Sequence, residues 1–220
     1  MKLIVVAPAL LISLALSVSG CSGDDGSSSA ADPAAPGQPA AAPQPPTAVP
    51  AAPGKVRSTG LPTVMDAGDG PELCLGAIAE SYPPQCGGPA IPNWDWTAYD
   101  GTFDQQDDVR WGTYAVTGTW DGTAFTVSDA IMGALYDPMM PEPVVLPEPS
   151  VSYSQAELED ISTALADELP GYQSSYADDE GHVLAGVTYD DGSLQAYVDE
   201  AYGSGVVVLN GALVDVDQPG

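Results

Sequence analysis

The chain has 220 residues, with 31 Asp and Glu against four Lys and Arg and a formal net charge of -27. Phosphate binding rests on clustered Lys and Arg, so this balance all but excludes a nucleic-acid role, and it equally opposes direct electrostatic attachment to anionic lipid head groups. Solubility is the bland account of such acidity; a cationic partner or bound Ca²⁺ is the sharper one.

The first twenty residues contain one early cation, Lys2, then an almost unbroken apolar run over residues 3–18, then small residues ahead of Cys21. That is the layout of a secretory signal. A membrane span needs about 20 apolar residues, and this run is shorter. The segment Val18-Ser19-Gly20-Cys21 resembles the lipobox of bacterial lipoproteins, with Val18 where leucine is commoner. The resemblance implies a diacylglyceryl group on the Cys21 thiol, cleavage before that residue, and a chain held by its acyl anchor (palmitate-type) at the extracytoplasmic face of the cell membrane.

Residues 21–62 are dominated by Ser, Ala, Pro and Gly, with few large apolar side chains. Such a segment buries too little surface to offset its ordering entropy and reads as a disordered tether. Extended at about 3.1 Å per residue, it would hold a domain up to roughly 100 Å from a bilayer.

Residues 63–217 have the size of one domain. Arg110 is the only Lys or Arg among them. Their order predicts an α+β fold: a β-hairpin-rich part over residues 63–137 carrying one disulfide, then a small α-β-α-β unit over residues 150–217. With Cys21 assigned to lipid, Cys74 and Cys86 are left to pair in an oxidising compartment. The loop of about 13 residues that they close would stabilise the fold by about 3 kcal/mol in the chain-entropy model. Pro83-Pro84 and Gly87-Gly88 flank Cys86 in a stapled turn, and the Cys spacing is too wide for a CxxC redox site.

Trp94 and Trp96 follow, two residues apart, so an extended backbone would point both the same way. Core covering is the first reading of the pair; a platform for stacking on a sugar ring is the second, with Arg110 a candidate grip for an anionic group beside it. The structural alternative for Arg110 is neutralisation of Asp107 and Asp108. The stretch 110–119 alternates bulky with small or polar residues, Trp120-Asp121-Gly122 turns the chain, and residues 123–129 return it: a hairpin. Five prolines between Asp137 and Pro149 predict a stiff surface connection. Ser154 and Glu157 form a capping box ahead of a stripe of Leu158, Ile161, Leu165 and Leu169 that stops at Pro170-Gly171. Strand-like residues 182–189, a short helix around Leu194, Tyr197 and Val198, and strand-rich residues 206–216 complete the chain.

The CLG, ES-PPQCGGP and WDW elements between Leu73 and Trp96, followed by WG-Y-VTGT-DG over residues 111–122, resemble an uncharacterised family of actinobacterial extracytoplasmic lipoproteins. The likeness covers Leu73 to about Val127 and the lipobox, with a looser match over residues 201–216. It carries no catalytic residue.

His182 is the sole histidine and stands beside Asp179, Glu180 and Gly181 in a turn-like stretch; no nucleophile turn accompanies it. Two cysteines and one His do not complete a zinc site, so no metal ligands are assigned. Asp66-Ala67-Gly68-Asp69-Gly70 has a calcium-loop flavour without EF-hand spacing. Met132, Met139-Met140 and His182 read as loop packing ahead of copper binding. The expectation is a membrane-anchored envelope module that binds a protein or glycan, without a cofactor; an envelope hydrolase acting through carboxylates is the alternative.

Overall fold

A computed structural model describes residues 42–137 and 145–217. The signal layout, Cys21 and Met139-Met140 lie outside them. No helix among the described residues is long and apolar enough to cross a membrane.

The chain enters through β1 (Lys55–Ser58), β2 (Thr63–Asp66), β3 (Glu72–Cys74) and β4 (Asp104–Gln106), then β5 (Val109–Trp120) and β6 (Phe125–Met132). The twelve-residue β5 organises them. Its first half lies between β2 and β4, with Val64 opposite Gly112 and Gln105 opposite Arg110; its second half lies between β1 and β6, with Val56 opposite Gly118 and Trp120 opposite Phe125. One strand serving two pairs of neighbours curls the sheet. The register shifts between Thr117 and Gly118, a bulge that bends the strand. Glycine is required there, because a Cβ on Gly118 would strike the Thr126 carbonyl and sit 2.7 Å from Phe125 Cζ.

The segment expected to be tether up to residue 62 is partly folded. Val56 is fully buried, Val49 and Ala52 pack on the same core, Ala52 N donates to Trp120 O at 3.0 Å, and Trp120 Nε1 donates to Pro50 O at 2.9 Å. Lys55-Val56-Arg57-Ser58 alternates in the strand manner, and a composition dominated by Pro and Ala hides it. The correction moves Lys55 and Arg57 into the domain, so Arg110 is not its lone cation.

Beyond residue 145 come α1 (Gln155–Glu168), β7 (Tyr172–Ala177), β8 (Val183–Val187), α2 (Ser193–Tyr202), β9 (Val207–Gly211) and β10 (Leu213–Asp215). The capping box forms: Ser154 N donates to Glu157 Oε2 at 2.7 Å, and Glu157 N donates to Ser154 Oγ at 3.4 Å. Leu158, Ile161 and Leu165 are buried on the face that α1 turns to β7 and β8. A second sheet runs β7-β8-β9, antiparallel then parallel, with α2 carrying the chain from β8 to β9. The α-β-α-β order expected for this part therefore omits β7, whose Tyr-Gln-Ser-Ser-Tyr-Ala has no run of bulky apolar residues to announce it.

After Gly211 the chain leaves the small sheet. β10 pairs with β1, Leu213 opposite Ser58, at the edge of the large sheet. Tyr189, two residues past the end of β8, is buried in the core of the large sheet with Leu213, Val56 and Trp120. The two parts separated in the sequence reading belong to one compact unit for this reason.

Candidate functional site

Cys74 and Cys86 are bonded, with their Cα atoms 5.8 Å apart. Cys74 ends β3 and is buried against Met65 and Trp111. Within the loop they close, Tyr82 meets the Trp111 ring edge-on at 5.2 Å while remaining 71% exposed.

Trp94 and Trp96 do not make an open platform. Both are buried, Trp94 stacked on Tyr99 at 4.2 Å and Trp96 tilted against Phe103 at 4.8 Å. The backbone is not extended through them: a 3-10 turn begins at Trp96, and Asp95 caps it by accepting from Thr97 N at 2.9 Å and Thr97 Oγ1 at 2.8 Å. Those bonds hold the exposed Asp95 carboxyl below the ordinary carboxylate range. The sugar-stacking reading of the pair is corrected accordingly; large indoles under a turn gain more from burial than from exposure.

Trp96 Nε1 donates to Asp66 Oδ2 at 3.2 Å, and Gly68 N donates to Asp66 Oδ1 at 3.0 Å. Both oxygens of the first acid in the calcium-like loop thus serve the fold. Arg110 lies opposite Asp66 in the β2–β5 register. It makes no ion pair with Asp107 or Asp108 among the described residues; those two form the turn between β4 and β5, with Asp107 at φ 54°.

The most organised polar constellation is one that the sequence reading dismissed as a turn. Asp178, after β7, closes the β7–β8 connection: its Oδ1 accepts from Glu180 N at 2.9 Å and from His182 N at 2.8 Å. Its Oδ2 lies 2.9 Å from His182 Nδ1, and His182 Nε2 lies 3.0 Å from Pro147 O. His182 is 5% exposed. A cleft of about 470 Å³ opens beside it, lined by residues 145–149, Glu180 and His182.

A carboxylate and a peptide carbonyl only accept, so both ring nitrogens must donate, and the arrangement is complete only with an imidazolium. Burial pulls the His182 pKa down, but the Pro147 carbonyl, the Asp178 carboxylate and the charge on Glu180 outweigh it and leave it raised above 6.5. Burial likewise pushes Asp178 up, and the N–H groups of His182 and Glu180 with the imidazole reverse this, leaving it lowered.

The nearest ligand atoms of Asp178, Glu180 and His182 lie within 4.8 Å of one another. The same atoms of Asp178 and His182 are committed to hydrogen bonds, so a cation would have to displace the bonds that build the turn. We therefore assign no metal to them. Nor does a hydroxyl or thiol take either ring nitrogen, as a nucleophile-base pair would require. The Pro147 contact spans 35 residues, and no local pattern announces it; the one available signal was a single histidine among three acids.

A second, half-buried acid joins the two helices. Glu168 Oε2 accepts from Tyr197 OH at 3.0 Å and from Tyr202 OH at 2.6 Å. Burial first, then the Glu168 carboxylate, pushes the Tyr197 phenol up to about 12.

No family model, curated protein or solved structure matches the chain.

Proposed function

We propose that the protein is a lipid-anchored, extracytoplasmic binding or interaction module of the cell envelope, held through Cys21 and engaging a cationic protein or glycan. The observation that carries the reading is the use made of its acids. Asp66, Asp95, Asp178 and Asp190 accept backbone or side-chain protons within the fold, while Asp129, Glu159, Asp179 and Glu200 are exposed. Only Lys55, Arg57 and Arg110 offset them within the described residues. An acidic surface of this kind concentrates cationic partners in a salt-dependent way.

The signal layout and Val18-Ser19-Gly20-Cys21 support the anchor, and the disulfide suits an oxidising compartment. The turn between β7 and β8 and residues 145–149 frame the cleft at His182.

Two measurements test this reading. Mass spectrometry of the expressed full chain should show residues 1–20 removed and a diacylglyceryl group on Cys21, and Cys21→Ala should abolish both. Titration with oligolysine and with de-N-acetylated chito-oligosaccharide should give binding that weakens as salt rises. Binding no stronger than to the N-acetylated oligosaccharide would remove the cationic partner, and turnover of a peptidoglycan fragment would favour the hydrolase instead.

A further inference from the structure

We propose that His182 is a proton-operated latch, which in its protonated form pins residues 145–150 onto the β7–β8 turn and releases them on losing its proton. The inference rests on the hydrogen-bond geometry around His182 and is independent of anchor and partner. The pinned strap is tied at two points. His182 Nε2 holds Pro147 O at 3.0 Å, and Ser150 N donates to Ser204 O at 2.8 Å. The backbone turn at Gly203–Gly205 backs it closely: a Cβ on Gly205, whose φ is 79°, would sit 2.7 Å from Glu148 O.

The strap buries no apolar side chain fully, and only Leu146 and Pro149 are half-buried. Val145 is 91% exposed, and Pro147 and Glu148 are exposed as well. The histidine bond is therefore a large share of what holds this end. When the imidazolium loses a proton, the carboxylate of Asp178 retains the Nδ1 proton as the stronger acceptor. The lone pair of Nε2 then faces the Pro147 carbonyl oxygen, and an attractive contact becomes repulsive.

The charged groups around the ring all favour the closed form. Asp178 and Glu180 face it from the turn, Asp179 stands beside them, and Glu148 lines the cleft from the strap; among the described residues no Lys or Arg lines the cleft. The sign follows. The His182 pKa is raised on folding, so the latch contributes fully below its unfolded value of about 6.5 and is lost as pH rises through the higher folded value. Release would widen the cleft and separate Glu148 from Glu180, changing the acidic face that the cleft presents.

The chain's single histidine makes the test direct. In the full-length protein, the His182 Cε1–H resonance should titrate with a midpoint above 6.5. Backbone hydrogen exchange of Ser150, whose N–H is bonded to Ser204 O, corrected for the intrinsic rate at each pH, should show an opening equilibrium about tenfold larger above that midpoint than below, the size expected for one lost charge-assisted hydrogen bond. His182→Gln should flatten this step. A midpoint at or below 6.5, or a strap whose corrected exchange shows no step across it, overturns the latch, and both readings come from the wild type without any variant.

Discussion

Trp96 gives its indole N–H to Asp66 at 3.2 Å, whereas the Trp94 indole, buried beside it with ring centroids 5.5 Å apart, has no acceptor for its own among the described residues. Two tryptophans that look alike in sequence thus stand differently in energy. One ties the 3-10 turn to β2; the other contributes rings and volume while its donor goes unmet.

The contrast sets a prediction. Trp96→Phe removes a hydrogen bond to a carboxylate as well as packing volume, and bonds to charged groups contribute about 1.5–3 kcal/mol. Trp94→Phe removes packing volume together with an unsatisfied donor, and the two effects oppose. Chemical denaturation should therefore rank Trp96→Phe as clearly the more destabilising. The reverse order would mean that Asp66 is satisfied without the indole.

The disulfide carries a second prediction. Cys74 is buried on β3 against Met65 and Trp111, and Cys86 packs on the same cluster. Non-reduced peptide mapping should recover both cysteines in one linked species. Replacing both by Ala should lower the unfolding free energy by about 3 kcal/mol, the entropy of a loop of this length. The same variant should raise proteolysis around Tyr82, whose contact with Trp111 depends on the loop being closed. Recovery of either cysteine alkylated without reductant would sink the assignment.

How far the chain could be read in advance depended on whether the deciding contacts were local. The capping box at Ser154 and Glu157, the stripe on α1 and the β5–β6 hairpin declare themselves within a dozen residues, because helix periodicity and strand alternation are local rules. β1 was hidden since only Val56 of its four residues is apolar, and β7 since its polar residues belong to a short strand at the edge of its sheet. The same distance rule governs the sites. Cys74 and Cys86 were legible by elimination. The burial of Trp94 and Trp96 depended on Tyr99, Phe103 and Tyr114 folding over them, and the bond from His182 to Pro147 depended on a return of the chain that no spacing encodes.

Asp190 and Asp191 show how little adjacent acids reveal until they are placed, and they supply the last prediction. Asp190 Oδ1 accepts from Gly192 N and Leu194 N, both at 2.9 Å, and its Oδ2 accepts from Gln195 N at 3.2 Å. Asp191 accepts only from Ser193 N, at 3.0 Å, among backbone groups beyond its own residue. The first N–H groups of a helix have no partners within it, and a carboxylate there also meets the positive end of the helix dipole. Asp190 thus starts α2, which carries the chain from β8 to β9 and buries Leu194, Tyr197 and Val198. Asp190→Ala should cost about 1–2 kcal/mol in unfolding free energy, in the range of lost helix caps. Asp190→Asn keeps one side-chain acceptor and should recover part of that loss, while Asp191→Ala should cost clearly less than Asp190→Ala. Equal losses for the two alanine variants, measured by denaturant midpoints at constant slope, would show that general charge at this turn, and not the three bonds to Asp190, holds the start of α2.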